Sequence, residues 1–344
     1  YLISLQREDG AWPSDAGKKI NETYDLFRGG KGVSHVGVTG LAILSLLAGG
    51  HLPDRGPHGK AMDRAIGFLL SKVDEHGYIA SDGTRMYSHA FATLALAEVY
   101  GVSKRTRVKE KLQDAVEFTV KCQNETGGWR YVPFTNDSDM SVTVCQIVAL
   151  RAARNVGIKV PQSTIDRALE YIIKSGISQQ DPGPAGGYWY QPYDQKFNRP
   201  SFALCAAGLT ALFQAGLYED SQVRHFIKSH RVKRNTPPPS IRESVRYMDN
   251  EYWDIWRRRP SPDHYFYFYG NYYAAQAMFT RGGEEWRAWY EMVRDNLLSI
   301  ARTRRAGDGK RRTHWSSHHV GDAFATAVAA IILQVPTNYL PIFQ

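Results

Sequence analysis

The chain has 344 residues, 43% of them hydrophobic, and its 43 Lys and Arg against 34 Asp and Glu give a formal net charge of +9. A chain of this length and composition can bury a substantial core, as one large domain or two ordinary ones. No apolar run reaches the roughly 18 residues that a transmembrane helix needs, so a membrane-spanning protein is not predicted. The three cysteines, Cys122, Cys145 and Cys205, are too few for a disulfide framework and are expected as small core residues.

Hydrophobic periodicity predicts outer and inner helices that alternate along the chain. The outer helices are amphipathic and are predicted at about 1–6, 60–74, 106–123, 162–175, 220–230 and 284–303. The inner helices are apolar on nearly every face, which is typical of buried helices, and are predicted at about 34–48, 87–100, 139–155, 200–215, 265–280 and 321–334. Because Tyr1 falls inside the first outer helix, that helix is expected to be truncated. A Pro-rich and aromatic stretch at about 231–263 interrupts the pattern and is expected to be an insertion that decorates one face.

The inner helices share a frame in which a polar residue lies four positions before a threonine or a cysteine. The framed copies are His35 to Thr39, His89 to Thr93, Asp139 to Thr143, Ser201 to Cys205 and Asp322 to Thr326. A looser, tyrosine-rich copy lies between His264 and Phe279. Copies that recur every fifty to sixty residues or so indicate a repeat architecture. We therefore predict an all-α (α/α)6 toroid, one domain over residues 1–344 with six inner helices around a central cavity. An open solenoid is the alternative, but it would need capping repeats with polar faces.

The frame places His35, His89, Asp139 and Asp322 at corresponding inner-helix starts, which would surround one mouth of the cavity. A single Asp at this position is explained by helix capping and by the helix dipole. Capping does not call for His, however, and a ring of His and Asp is suited to general acid–base chemistry. We therefore predict these four as catalytic residues, with Asp139 as the leading acid.

Aromatic residues are the candidate ligand-binding groups. They are Trp129, Phe134, Trp189, Tyr190, Tyr265, Tyr267, Tyr269, Tyr272 and Tyr273. An aromatic stripe is often only core, but a helix with aromatic residues on all sides must point some of them into the cavity. Such a wall suits an isoprenoid chain or a carbocation. It also suits stacked sugar rings, for which Glu243, Asp249 and Glu251 would supply carboxylates.

Two polar features have simple explanations. His314, His318, His319 and Asp322 are grouped as metal ligands can be, but the segment is a Gly- and Arg-rich loop without a thiolate, so no metal or cofactor is predicted. The basic runs at 231–234, 257–259, 302–305 and 310–312 are interpreted as a solvated rim, with attraction to anionic lipid headgroups or a diphosphate as the alternative. Nucleic acid is not predicted as a partner, because no recognised binding module accompanies the charge.

The turns between outer and inner helices carry a family resemblance. An aromatic residue, a glutamine five positions later and then Gly-x-Trp occur twice, ending at Trp12 and at Trp129, with weaker copies ending at Tyr78 and Trp189. This pattern resembles the repeat of squalene and oxidosqualene cyclases and of protein prenyltransferase β subunits over nearly the whole chain. The resemblance implies a toroid whose glutamine and tryptophan are structural. It also implies a hydrophobic, isoprenoid-like ligand, while the basic runs leave association with a membrane surface as an alternative.

The catalytic motifs of those families are incomplete here. The cyclases protonate an alkene with an Asp-x-Asp-Asp-Thr stretch, whereas Asp139 to Thr143 has Ser141 and Val142 in place of the two following acids. The zinc-binding Asp-x-Cys of the prenyltransferases does not occur. Enzyme activity is therefore left open among three hypotheses: a cyclase-like protein that binds an isoprenoid, a non-catalytic binding or scaffold protein, and a carbohydrate-active α/α-barrel enzyme.

Overall fold

The computed structural model describes residues 1–14, 32–81, 84–193, 199–252, 262, 264, 266–305, 309–319, 321–337 and 340. In this part of the chain the α-helices, in order, are α1 (Val36–Ala48), α2 (Gly59–Ser71), α3 (Met86–Ser103), α4 (Thr106–Lys121), α5 (Met140–Asn155), α6 (Gln162–Ser175), α7 (Phe202–Gln214), α8 (Asp220–Ser229), α9 (Ile241–Tyr252), α10 (Tyr267–Arg281), α11 (Gly283–Ser299) and α12 (Gly321–Gln334). Short 3-10 helices span Leu2–Leu5 and Val335–Thr337. Two antiparallel pairs complete the structure, β1 (Pro13–Ser14) with β2 (Val33–Ser34) and β3 (Arg302–Arg305) with β4 (Arg311–His314). None of the described helices is both long and apolar enough to cross a membrane.

Six of the helices form a closed inner ring, which confirms the predicted fold class. In ring order they are α1, α3, α5, α7, α10 and α12, each packed against the next, and α12 packs against α1 to close the ring. Every residue of α1 is buried, as expected for a helix that is apolar all round. Closure of the ring buries the inner faces without leaving an end that needs a cap.

Glycines in the inner helices let neighbouring backbones approach closely. A Cβ on Gly40 would lie 2.7 Å from the carbonyl oxygen of Phe91 in α3, and one on Gly270 would lie 2.9 Å from the ring of Phe202 in α7. A side chain at either position would force these helices apart. The small residues of the inner helices are therefore needed for ring packing.

The turn motif docks each hairpin onto the next outer helix. Its glycines, Gly10, Gly77, Gly127 and Gly186, have φ between +88° and +93°, which favours glycine. A Cβ on any of them would lie 2.2–2.3 Å from a backbone oxygen of the following outer helix, in α2, α4, α6 and α9 respectively. The α9 helix lies inside the predicted insertion, yet the turn at Gly186 packs against it as the other turns pack against their outer helices.

The glutamine of the motif has the structural role that the sequence suggested. Gln123 donates through Nε2 to the carbonyl oxygens of Gly127 (2.8 Å) and Thr164 (2.9 Å), and its Oε1 accepts from Arg167. Gln6 repeats the same three bonds with Gly10, Ala61 and Arg64. One amide therefore joins a turn to the first turn of the next outer helix.

The tryptophan of the motif is bound to the framed threonine. The backbone N–H of Trp129 donates to Thr143 Oγ1 at 3.1 Å, and Trp12 bonds Thr39 in the same way at 3.0 Å. Trp315 is a third copy that the sequence analysis missed, with its N–H on Thr326 Oγ1 at 3.1 Å. In the two weaker copies, the residue that corresponds to the tryptophan stands two positions after the turn glycine. It is Ile79 and Tyr188, and not Tyr78 and Trp189 as predicted.

Candidate functional site

The candidate site lies at the end of the ring where the inner helices begin, called the mouth below. At the mouth, the loop that leads into one inner helix is hydrogen-bonded to the start of the preceding inner helix. The N–H of Met86 donates to the carbonyl oxygen of Tyr131 at 3.0 Å, and the N–H of Met140 donates to that of Tyr190 at 2.9 Å. The segment that enters each of α5 and α7 is thereby held against the first turn of the preceding inner helix.

Three of the four predicted catalytic residues lie at these helix starts, and two of them cap a helix. His35 Nδ1 accepts the N–H of Val38 at 3.2 Å, and Asp139 Oδ1 accepts that of Val142 at 2.9 Å. Asp322 instead accepts hydrogen bonds from Tyr1 Oη (2.7 Å) and Ser316 Oγ (2.6 Å).

The placement of His89 at the mouth was wrong. His89 is the fourth residue of α3 and is fully buried, so it corresponds to the framed threonines and not to His35. Its Nδ1 accepts the N–H of Ile79 at 3.1 Å, and its Nε2 lies 2.8 Å from Thr119 Oγ1. The first bond assigns the Nε2–H tautomer, and burial lowers the pKa of His89 to about 4. His89 thus accepts the backbone N–H of Ile79, just as Thr143 accepts the backbone N–H of Trp129.

The buried Asp139 and the half-buried Arg130 form an ion pair under the mouth. The Asp139 side chain is 0% exposed, and its Oδ2 lies 2.9 Å from Arg130 Nη1. Its Oδ1 also accepts from the Ser141 hydroxyl at 2.5 Å. Arg130 reaches Asp137 through Nε at 3.2 Å, where the carboxylate is 58% exposed. Burial raises the pKa of Asp139, although Ser141 and Arg130 act in the opposite direction.

Four half-buried tyrosines cover this ion pair, and we call Tyr87, Tyr131, Tyr190 and Tyr269 the tyrosine cluster. The Tyr190 hydroxyl accepts from Arg130 Nη1 at 2.9 Å and is hydrogen-bonded to the Tyr131 hydroxyl. The Arg130 guanidinium lies 4.5 Å from the Tyr131 ring centroid and 5.6 Å from that of Tyr190. These cation–π contacts and hydrogen bonds fix both rings in position.

The other two members of the tyrosine cluster meet at Ser141. Tyr87 donates to Ser141 Oγ at 2.5 Å, and Tyr269 donates to the Ser141 carbonyl oxygen at 3.0 Å. The Tyr87 ring centroid is 5.9 Å from that of Tyr131 and 6.2 Å from that of Tyr269. The rings of Tyr131, Tyr87 and Tyr269 are therefore in contact, and Tyr190 joins them through Arg130 and through its hydroxyl.

Two predicted aromatic residues lie directly below the cluster. Tyr273 is buried, with its ring 5.0 Å from that of Tyr269 and its hydroxyl 3.0 Å from Cys145 Sγ. Tyr272 is buried between Tyr273 and Phe91. Both pack the ring interior and are covered by the half-buried tyrosines.

The remaining predicted aromatic residues lie elsewhere. Trp129 is buried in its turn, Tyr267 is buried and adjoins Tyr252 of α9, and the Trp189 ring packs over Gly183. Phe134 is 66% exposed and contacts Phe118 of the outer helix α4. Tyr265 lies outside the described residues. Of the predicted ligand-binding residues, Tyr190 and Tyr269 are therefore the two that belong to the tyrosine cluster.

Arg130, Tyr131, Tyr87 and Ser141 were not among the site residues predicted from the sequence. A signal for two of them was present, because Arg130 and Tyr131 directly follow Trp129 in the turn motif. Tyr190 stands two residues after Tyr188, as Tyr131 stands two residues after Trp129, so the motif itself delivers tyrosines to the mouth. Tyr87 and Ser141 are both the second residue of an inner helix.

The other predicted polar groups are not at the cluster. Glu243 lies on the outer helix α9, where it accepts bonds from Ser240 and Gln179, and Asp249 and Glu251 are on the same helix. The His314 ring stacks on Tyr1 with centroids 4.0 Å apart. Among the described residues no group of three or more His, Cys, Asp or Glu is arranged to hold a metal ion.

Comparison with known proteins supports the fold. No family profile and no characterised protein sequence matches the chain. An inactive variant of an α-1,6-mannanase of glycoside hydrolase family 76 from a Salegentibacter species, in complex with α-1,6-mannotriose, has a TM-score of 0.64 at 8% identity, covering 97% of this chain and 95% of that one. The family 76 α-mannanase of Bacteroides thetaiotaomicron gives 0.60 at 11% identity, covering 98% and 94%. Cellobiose 2-epimerase from Spirochaeta thermophila gives 0.61 at 11%, covering 98% and 93%. The chain has the fold of an α/α toroid.

These similarities contradict the predicted isoprenoid ligand and the terpenoid-cyclase-like function. The similar structures belong to proteins named for mannans and cellobiose, not for hydrophobic isoprenoids. The physical reason for the error is that the Gln and Trp motif behind the resemblance builds turns. It reports the architecture and carries no information on the ligand.

Proposed function

We propose that this protein binds an oligosaccharide at the mouth, with the tyrosine cluster as the binding surface. The observation that carries the proposal is the arrangement of Tyr87, Tyr131, Tyr190 and Tyr269, each half-buried and each fixed by a hydrogen bond. Tyrosine presents an apolar ring face together with a polar hydroxyl. A sugar ring has the matching chemistry, with apolar C–H faces and hydroxyls at its edge.

Rigidity supports the same proposal. A ligand surface gains affinity when its side chains do not have to be ordered on binding. Arg130 contacts two rings of the tyrosine cluster, and Asp139 holds Arg130 from below. In this proposal Asp139 and Arg130 are positioning residues.

Glycosidic hydrolysis by consecutive aspartates is not part of the proposal. The mannanase variant named as inactive has two consecutive aspartates replaced by asparagine, and it is named in complex with α-1,6-mannotriose. This chain contains no two consecutive aspartates. Its Asp139 carboxylate is enclosed on both oxygens, which leaves no access for a glycosidic oxygen.

The test is isothermal titration with a panel of neutral oligosaccharides: α-1,6-mannotriose, cellobiose and maltotriose. We expect at least one to bind, and we expect Tyr190→Ala to weaken that binding about tenfold, or about 1.4 kcal/mol. Tyr218→Ala is the matched control, since Tyr218 is an exposed tyrosine beyond the far end of α7. Product analysis after long incubation tests for hydrolysis in the same samples. Equal effects of the two variants would reject the proposal, and so would absence of binding both across this panel and to charged oligosaccharides.

A further inference from the structure

The strands β3 and β4 form a hairpin with an unusual concentration of arginine. Arg302, Arg304 and Arg305 lie on β3 and are exposed, and Arg311, also exposed, begins β4. In the register of the pair, Arg304 is opposite Arg312 and Arg305 is opposite Arg311. Like charges placed directly across a β-ladder destabilise it. The hairpin thus keeps an arrangement that costs stability, which favours a functional explanation.

Four arginines of the hairpin form no ion pair within the described residues. In this part of the chain Arg302, Arg304, Arg305 and Arg311 take part in none of the ion pairs. Guanidinium groups in this state present free donors with a geometry that matches carboxylate or sulfate oxygens.

The hairpin is anchored beside the mouth. Its last residue, His314, stacks on Tyr1, and the Tyr1 hydroxyl donates to Asp322 in the first turn of α12 at 2.7 Å. The next residue, Trp315, donates its N–H to Thr326 of the same helix at 3.1 Å. In the ring α12 is adjacent to α10, which supplies Tyr269 of the tyrosine cluster. The base of the arginine hairpin and Tyr269 therefore lie at the starts of two adjacent inner helices.

We propose that the saccharide bound at the mouth is acidic and that the arginine hairpin binds its carboxylate or sulfate groups. This inference rests on the proposed function. The tyrosine cluster contacts the sugar rings, and Arg304, Arg305 and Arg311 contact the anionic substituents of units that extend past α12.

The chemistry of the hairpin favours an acidic glycan over the other polyanions. Single-stranded nucleic acid needs aromatic platforms among the basic residues, and the two strands carry none except His314, which is engaged with Tyr1. An anionic membrane attracts exposed arginines too, but the strands carry no apolar side chain that would enter the acyl boundary. The aromatic groups near this hairpin belong to the mouth, where they suit sugar rings.

The experiment compares trigalacturonate with its fully methyl-esterified form, which has the same sugar backbone without charge. We expect the wild-type protein to bind the acid at least about fivefold more tightly than the ester, from exposed contacts of modest strength. The double variant Arg304→Gln/Arg305→Gln is expected to remove this preference. The matched control is Arg107→Gln/Lys109→Gln, which removes two exposed charges from the outer helix α4. A sulfated oligosaccharide with its desulfated partner forms a second arm that separates carboxylate from sulfate recognition.

The outcomes are distinguishable. Equal binding of acid and ester in both arms would overturn the acidic ligand while leaving oligosaccharide binding intact. An equal loss in the two double variants would reduce the effect to net charge and would also overturn the inference. Tyr190→Ala should weaken acid and ester alike. If neither these ligands nor the neutral panel bind, the proposed function itself fails. Because the hairpin variant relieves like-charge repulsion, its melting temperature should not fall, and a thermal scan verifies that it is folded.

Discussion

Alanine at the turn glycine Gly127 should destabilise the protein far more than alanine at a glycine with the same backbone angle but free space. Gly127 has φ of +88°, and a Cβ there would lie 2.3 Å from the carbonyl oxygen of Arg167 in α6. Gly157 has φ of +90° with nothing within 4 Å of its Cβ position. The two sites therefore share the backbone strain and differ in the contact with the outer helix.

The magnitudes follow from these two terms. Backbone strain costs about 1–3 kcal/mol, and alanine returns about 0.4–1 kcal/mol by restricting the unfolded chain. Gly157→Ala should therefore lose about 1 kcal/mol. Gly127→Ala must in addition displace a helix backbone by roughly 1 Å, for which overpacking costs of about 1–3 kcal/mol are appropriate. We expect a difference of about 2 kcal/mol between the variants, or about 3 °C in melting temperature for a chain of this size.

The assay is urea and thermal unfolding followed by circular dichroism for the wild type and both variants. Gly216→Ala, at φ of +82° with open space around the Cβ position, repeats the control at a second site. If Gly127→Ala and the two controls lose the same stability, the turn does not depend on docking against α6, and our account of the repeat is wrong.

Two further predictions concern buried ionisable groups. Asp139→Ala should cost about 2–3 kcal/mol of unfolding free energy, because α5 loses its N-cap and Arg130 keeps only the exposed carboxylate of Asp137. Asp137→Ala should stay within about 1 kcal/mol, and comparable losses of the two variants in urea unfolding would contradict the assigned geometry. The pKa of His89 in the folded protein is about 4, below the ordinary value of 6.5, so the unfolded chain binds the proton first as the pH falls. The contribution of neutral His89 to the free energy of unfolding should be complete above about pH 6.5. It should decline by up to about 3 kcal/mol as the pH falls toward 4. His89→Asn should flatten this part of the stability profile, and an unchanged slope would show that another group is responsible.

The architecture was predictable because it is encoded locally and repeatedly. Inner helices are apolar on all faces, outer helices are amphipathic, and Gly-x-Trp marks the turns at Trp12 and Trp129. Each of these patterns involves residues only a few positions apart, so a short stretch of sequence is enough to recognise it. The capping of an inner helix by Asp139 is of the same kind, since the acceptor and the N–H of Val142 are three residues apart.

The tyrosine cluster could not be predicted from such local patterns. Tyr87, Tyr131, Tyr190 and Tyr269 come from four different repeats, and they meet because the ring closes and because Arg130 and Ser141 bind them. For His89 a local pattern was misleading: the segment His89 to Thr93 resembles the other framed copies, and this similarity wrongly placed a core residue at the mouth. There the hydrogen bond to Ile79, ten residues away across a turn, determines the alignment. Local spacing thus determined which helices form, whereas contacts between repeats decided which side chains face the mouth.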